Sequence, residues 1–283
     1  MSPRPRALPL FCSVDLAARI EAAESRMIAG AAEAAARRDP SLGAFARPLV
    51  GGVASYAGAA SPLTKIAGLG FAGAPAEPEL AAIEEALAVA GVAPRVELSS
   101  LGDPAIAALL GRRGYTLIAV EHVLGRPLDD APAAAAEGLT IEPSPADALD
   151  PWLDLIITGF ATPDGQGAGV DEEFPREGPP TRRCATSSPR PGSPPPRPRD
   201  GCPRAPQACG STAKVISAAR RDPAGHRQRR RGIRRSSDDR LARARAAGCT
   251  LAIVTTQPGS RSQENVQRQG FHLLYTRAIL VRA

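Results

Sequence analysis

Between Asp171 and Lys214 the chain has not one Leu, Ile, Val, Met, Trp or Tyr, and Phe174 is the only large apolar side chain in those 44 positions. A stretch of this kind has nothing with which to line a core, so it can supply neither a buried strand nor an amphipathic helix. It interrupts the pattern of the 283-residue chain. The same region concentrates the charge. Residues 175–235 hold 15 Arg, one Lys and three acids, a balance of +13, and 12 of the 29 prolines. The whole chain is only +6, so the rest of it sums to −7. The basic pI of about 9.5 is therefore local, and the remainder is a mildly acidic, Ala-rich chain.

Several classes drop out. No run approaches the ~18 to 20 apolar residues that a membrane span requires. The amino-terminal patch of Leu8, Leu10 and Phe11 is interrupted by Pro9 and is too short for a signal-peptide core, so a cytoplasmic protein is expected. Five cysteines do not make a disulfide scaffold at this length. Cys184, Cys202 and Cys209 lack paired spacing with His beside them, so no metal is expected.

Outside the anomalous segment the pattern is α/β, and it repeats. Val14 to Ala36 has helical spacing, with Leu16, Ile20, Ala23 and Met27 on one face and Ser13 or Asp15 to cap it. Glu79 to Ala90 is helical, with Leu80, Ile83 and Leu87 inward, Glu84 and Glu85 toward water, and Gly91 at its end. Val96 to Ser99 is a strand, Asp103-Pro104 opens a helix ended by Gly114, and Tyr115 to Leu124 is a strand. The carboxyl end has the same grammar. A helix over Leu241 to Ala247 ends at Gly248, and Thr250 to Thr256 is a strand. Ser262 caps a short helix to Gln269, Gly270 ends it, and Phe271 to Val281 is the last strand. Gly91 to Gly114 spans 23 positions and Gly248 to Gly270 spans 22, which reads as a tandem duplication. Residues 13–128 form the first unit and 129–138 a Pro/Ala-rich linker. The second unit is 139–283, with a strand at Leu139 to Glu142 and a helix at Asp147 to Phe160.

The sharpest motif is Arg229-Arg230-Arg231-Gly232-Ile233-Arg234, ahead of the helix at Leu241. A glycine that admits close backbone approach, helix-start amides and several guanidinium groups suit a pyrophosphate. An arginine run of this kind is equally compatible with a solvated basic stretch. Here the chain resembles the GNAT N-acetyltransferase superfamily. Arg229-x-x-Gly232-x-Arg234 resembles its acetyl-CoA loop. Thr250 to Thr256 resembles the strand beside which the pantetheine arm lies, and Ser262 through Asn265 to Gly270-Phe271 resembles its next block. The resemblance implies two tandem mixed-sheet domains and transfer of an acetyl group from acetyl-CoA to a small-molecule or peptide amine. It implies a cofactor site at Arg229, Arg230, Arg231, Gly232, Ile233, Arg234, Thr255, Ser262 and Asn265.

The chain also departs from that pattern. Arg234 stands where Gly or Ala is usual. Val266 stands where a Tyr proton donor is frequent, with Tyr275 a substitute only if it is not packing. In the first unit, Ala67-Gly68-Leu69-Gly70 has no cations and is followed by Glu77 and Glu79, so that half resembles a degenerate copy that does not bind acetyl-CoA. Residues 175–240 replace text that should hold central strands. One reading is a basic insertion that binds nucleic acid or another polyanion, which would make the protein a non-enzymatic binding module. The other is a local reading-frame shift in a GC-rich gene, which would impair the acetyltransferase and leave Thr250 to Thr256 with an unpaired edge.

Overall fold

A computed structural model of the chain describes residues 10–128, 212–214, 241–242 and 244–282. The expected strand at 139–142, the helix at 147–160 and the linker at 129–138 lie outside these residues, as does the segment 175–240 apart from 212–214.

The chain opens with α1 (Val14–Arg38), started by Ser13, whose hydroxyl accepts from the Leu16 amide at 3.2 Å. Its buried stripe is Ala17, Ile20, Glu21, Glu24, Ser25, Ile28 and Ala32. The stripe read from sequence, Leu16, Ile20, Ala23 and Met27, is thus turned slightly about the helix axis. Hydrophobicity alone could not place it, because two of the buried side chains are glutamates with a partner far along the chain.

Three short strands that the sequence reading did not name follow: β1 (Phe45–Leu49), β2 (Gly52–Tyr56) and β3 (Lys65–Ala67). β1 and β2 form a tight hairpin through Val50 (φ 41°) and Gly51 (φ 78°), the two left-handed positions that match strand twist. Next come α2 (Glu77–Val89), β4 (Arg95–Ser99), α3 (Pro104–Arg112) and β5 (Tyr115–Pro127). Asp103 caps α3 by accepting from the Ala105 amide at 2.8 Å, as its sequence signature predicts. β5 outruns its expected end at Leu124 and absorbs Arg126 and Pro127, because β7 continues to pair with it there. Backbone strand β6 (Thr212–Lys214) falls inside the anomalous segment. Residues 241–242 and 244–246 are helical, and β7 (Leu251–Thr256), α4 (Arg261–Arg268) and β8 (His272–Arg282) complete the chain.

All eight strands form one mixed sheet, in the order β1-β2-β3-β4-β8-β5-β7-β6. β3 with β4 and β6 with β7 are parallel, and the other pairs are antiparallel. From β3 to β6 the types therefore read the same from either end. The last strand of each half lies beside the other half: β8 sits between β4 and β5, and β5 sits between β8 and β7.

The β5–β8 register makes the symmetry specific. Glu121 faces Arg277, Ala119 faces Ile279 and Val123 faces Tyr275. Positions 156 apart along the chain (Ala119 and Tyr275, Glu121 and Arg277, Val123 and Ile279) exchange places about the Glu121–Arg277 pair. Even the irregularities match, with one skipped residue at Ile118 and one at Leu274. Gly114 (φ 84°) and Gly270 (φ 83°), also 156 apart, end the helices before the two strands. The outer pairings, β4–β8 and β7–β5, differ from strict equivalence by two residues, an even slide that keeps every side chain on its face.

α1 covers one face of the sheet. Ala17 and Ile20 pack on Val123, Leu251, Ile253 and Tyr275, and Ile28 packs on Val53 and Ala67. On the other face α2 and α3 bury Leu80, Ile83, Leu87, Ile106 and Leu110 against Ala54, Ile66, Val96 and Leu98. Leu241 and Val266 bury Leu124, Ala252, Val254 and Phe271 beside them. Among the described residues no helix is long and apolar enough to cross a membrane. β6 pairs with Leu251, Ala252 and Ile253, so the β7 edge expected to be unpaired is covered over its first half.

Candidate functional site

The six residues Arg229 to Arg234 lie outside the described residues. In chain order they fall between β6 and β7, as the Gly68–Gly70 loop falls between β3 and β4. Thr255, Ser262 and Asn265 are described. Thr255 is the penultimate residue of β7, half-buried and opposite Val123. Strand alternation sets it on the α1 face with Ile253, away from α4. Ser262 and Asn265 lie on α4, which begins four residues after β7 ends. Asn265 is exposed and Ser262 half-buried. The predicted cap is corrected: Ser260, not Ser262, starts the helix, its hydroxyl accepting from the Gln263 amide at 3.1 Å. The Gln263 side chain returns to accept from the Gly259 amide at 2.7 Å. Thr255 is thus on one side of the sheet, and Ser262 and Asn265 are on the other.

Sequence reading passed over His122 and Thr256. They are cross-strand partners at the end of β7, on the α4 side with Leu124 and Val254. The His122 Nδ1 and Thr256 Oγ1 atoms are buried, and neither has a hydrogen-bond partner among the described residues. Unpaired buried polar atoms are uncommon and concentrate where a chain has work to do. The available signal was scarcity, since the chain has only three histidines.

Tyr275 is resolved as a packing residue. It is 4% exposed, and its hydroxyl donates to Glu21 Oε1 at 2.6 Å. Burial and the Glu21 charge push its pKa upward, so its proton stays with the pair. Val266 is likewise core.

Tyr275 belongs to a buried ionic cluster between α1 and the middle of the sheet. Arg277, 1% exposed, donates from Nε to Glu21 at 2.7 Å, from Nη2 to Glu24 at 2.7 Å and from Nη1 to Glu121 at 2.8 Å. Glu97 Oε2 is 3.9 Å from Nη1 and, with Oε1, accepts from Lys65 Nζ at 2.8 Å. Four carboxylates meet two cations. Burial pushes Glu21 up despite Arg277. Burial and the charge of Glu97 push Glu121 up to about 7, so the excess negative charge is relieved by a proton near neutrality. A guanidinium serving several carboxylates is held well above its ordinary range even against its burial.

A second cluster corrects the reading of α2. Glu84, expected in water, is buried. It accepts from Arg113 Nε at 3.0 Å, from Tyr115 Oη at 3.2 Å and from Arg282 Nη1. Burial pushes its pKa up, but Arg113 and Arg282 outweigh this and hold the carboxyl below its usual range. The carboxylate pins α2 to the start of β5 and the end of β8.

The Gly68–Gly70 loop between β3 and β4 is closely packed. Gly68 has φ 81°, and a Cβ there would come within 2.2 Å of Ser25 Oγ on α1. The Gly70 carbonyl accepts from the Asp103 amide at 2.8 Å, and a Cβ on Gly70 would lie 3.0 Å from Gly102 Cα. With no cation in the loop and Glu77 and Glu79 beyond it, these residues do not fit a pyrophosphate.

No family model and no curated protein matches the chain. Among solved structures it is similar to two acetyltransferases. A GCN5-related N-acetyltransferase from Kribbella flavida aligns with 72% of this chain and 73% of its own length, at 16% identity and a TM-score of 0.43. Another, from Sphaerobacter thermophilus, aligns with 68% of this chain and 59% of its own, at 13% identity and a TM-score of 0.37.

Proposed function

We propose that the chain is a tandem acyltransferase of GNAT type. Its second unit takes acetyl-CoA and acetylates an amine, and its first unit holds the second unit's sheet without binding acetyl-CoA itself. The observation that carries this reading is the mirrored arrangement of β3-β4-β8 and β6-β7-β5, each a parallel pair followed by an antiparallel strand from the other half. In that arrangement the Arg229–Arg234 motif occupies, along the chain, the position of a cofactor loop, and the resemblance of its residues assigns it one.

Acetyl-CoA would bring the acetyl group as an activated thioester. The arginines would offset the diphosphate charge, and Gly232 would admit it to the backbone. Ser262 and Asn265 offer polar contacts on α4, whereas Thr255, on the opposite face of β7, does not join them.

Titration calorimetry with acetyl-CoA on the full chain tests the proposal. Binding is expected, and R230A and G232V should each weaken it at least tenfold. An absence of heat with the wild-type chain would remove the proposal. If that chain instead shifted a DNA duplex in a gel, with binding falling steeply as salt rises, the basic segment would be a polyanion binder.

A further inference from the structure

β5 and β8 are near-twins. They share pleat, a skipped residue at the same place and a two-fold register, and each follows a helix ended by a left-handed glycine. Backbone pairing therefore does not tell one from the other: a β5 strand laid between β4 and β5 would make the same kind of ladder as β8. The two differ at the centre of the symmetry, where β5 carries Glu121 and β8 carries Arg277. Arg277 is also where three elements converge, Glu21 and Glu24 from α1, Glu97 from β4 and Glu121 from β5.

We propose that the gap between β4 and β5 is a docking slot that selects its strand by a buried guanidinium: the chain's own β8 fills it, the β8 of a second copy would fit it, and β5 does not. A second copy's β5 in the same register would place a carboxylate where Arg277 stands. Five buried carboxylates would then face Lys65 as their only cation within the cluster. Each would be desolvated, and burial of an unpaired charge is among the most expensive substitutions in a fold. The α1 acids Glu21 and Glu24 thus read the identity of the incoming strand. This matters in a chain whose duplicated strands otherwise invite pairing with the wrong copy.

The test uses the full chain and two fluorescent peptides spanning residues 271–283, one wild type and one carrying R277E. The full-length R277E variant is expected to release its own β8 and capture the wild-type peptide at least tenfold more tightly than the R277E peptide, by fluorescence anisotropy. The wild-type chain, its slot filled, should take neither. A full-length E21Q/E24Q/R277E variant should narrow the preference between the peptides to the part that Glu97 and Glu121 supply. If R277E does not fold alone, refolding it with each peptide serves instead, and only the wild-type peptide should raise the yield of soluble chain. The proposal is overturned if the β8 amides of R277E stay as protected from hydrogen exchange as in the wild type. Equal binding of the two peptides, or equal rescue by them, would overturn it too.

Discussion

The two halves of the sheet share a plan but not a framework. Beyond β4 the first half adds β3 and the β1–β2 hairpin, and α1 lies across all three. Among the described residues, the second half adds β6 beyond β7, three residues of backbone pairing. The first half has its helices, its hairpin and its own core, and its Gly68–Gly70 loop is closely packed. The second half carries α4, and its strand β7 pairs with β5 of the first half. Among the described residues the second half therefore leans on the first. Its central strand rests on β5, and its last strand is buried inside the first half's charge cluster.

The strongest way to break this dependence is at Arg277. R277M removes the guanidinium that Glu21 and Glu24 both accept from while keeping side-chain bulk. Removing one partner from a buried pair costs about 3 to 5 kcal/mol, so urea unfolding should shift by that order. The loss should be cooperative across both halves, with β4 and β7 amides losing hydrogen-exchange protection together and one transition by circular dichroism. Two separate transitions would show that the halves do not depend on each other.

Much of this plan is readable in the residues. The Gly91–Gly114 and Gly248–Gly270 spacing, the Asp103-Pro104 start and the Leu80, Ile83, Leu87 stripe are local signals, and each is found where the sequence places it. What escaped depends on distant partners. Glu21, Glu24 and Glu84 look like solvent-facing charges because Arg277 and Arg282 are about 200 to 260 residues away in sequence. The strands β1 to β3 are too short, and contain too many polar or small residues, to announce themselves by alternation. Ser260 and Ser262 are both plausible caps by composition, and only the backbone at Ser260 (φ −76°, ψ 159°) decides. For the site, the motif at 229–234 was visible from charge and glycine. The His122–Thr256 pair needed the β5–β7 register.

A second, smaller effect tests how tightly the Gly68 loop is packed. G68A forces a left-handed φ onto alanine and drives its Cβ into Ser25, which should cost about 2 to 4 kcal/mol. G248A meets the same backbone demand with open space around it and should cost only about 1 to 2 kcal/mol. Equal losses in thermal unfolding would mean that the first unit's loop is not packed as tightly against α1 as its geometry states. Below these in size, S260A should cost about 1 kcal/mol as the loss of a helix cap, and S262A less than half as much. The reverse ranking would return the cap to the position first read from sequence.

The smallest effect at neutral pH is also the most diagnostic of the charge cluster, because it appears as a slope. The Glu121 carboxyl is pushed up to about 7 in the folded chain, against an ordinary value near 4.5. Between those values the folded state holds a proton that the unfolded state releases, so stability falls as pH rises through the window. Above about pH 7 both states have lost it and the slope ends. The thermal midpoint of the wild-type chain should therefore decline from pH 5 to 7 and flatten above. E121Q keeps an acceptor for Arg277 Nη1 but has no proton to exchange, so its decline should be shallower. Glu21, also raised, leaves a residual slope in the variant. Calorimetric scans of both proteins at half-unit pH steps measure the difference directly. Parallel curves would place the shared proton elsewhere and show that Arg277 balances Glu121 without its help.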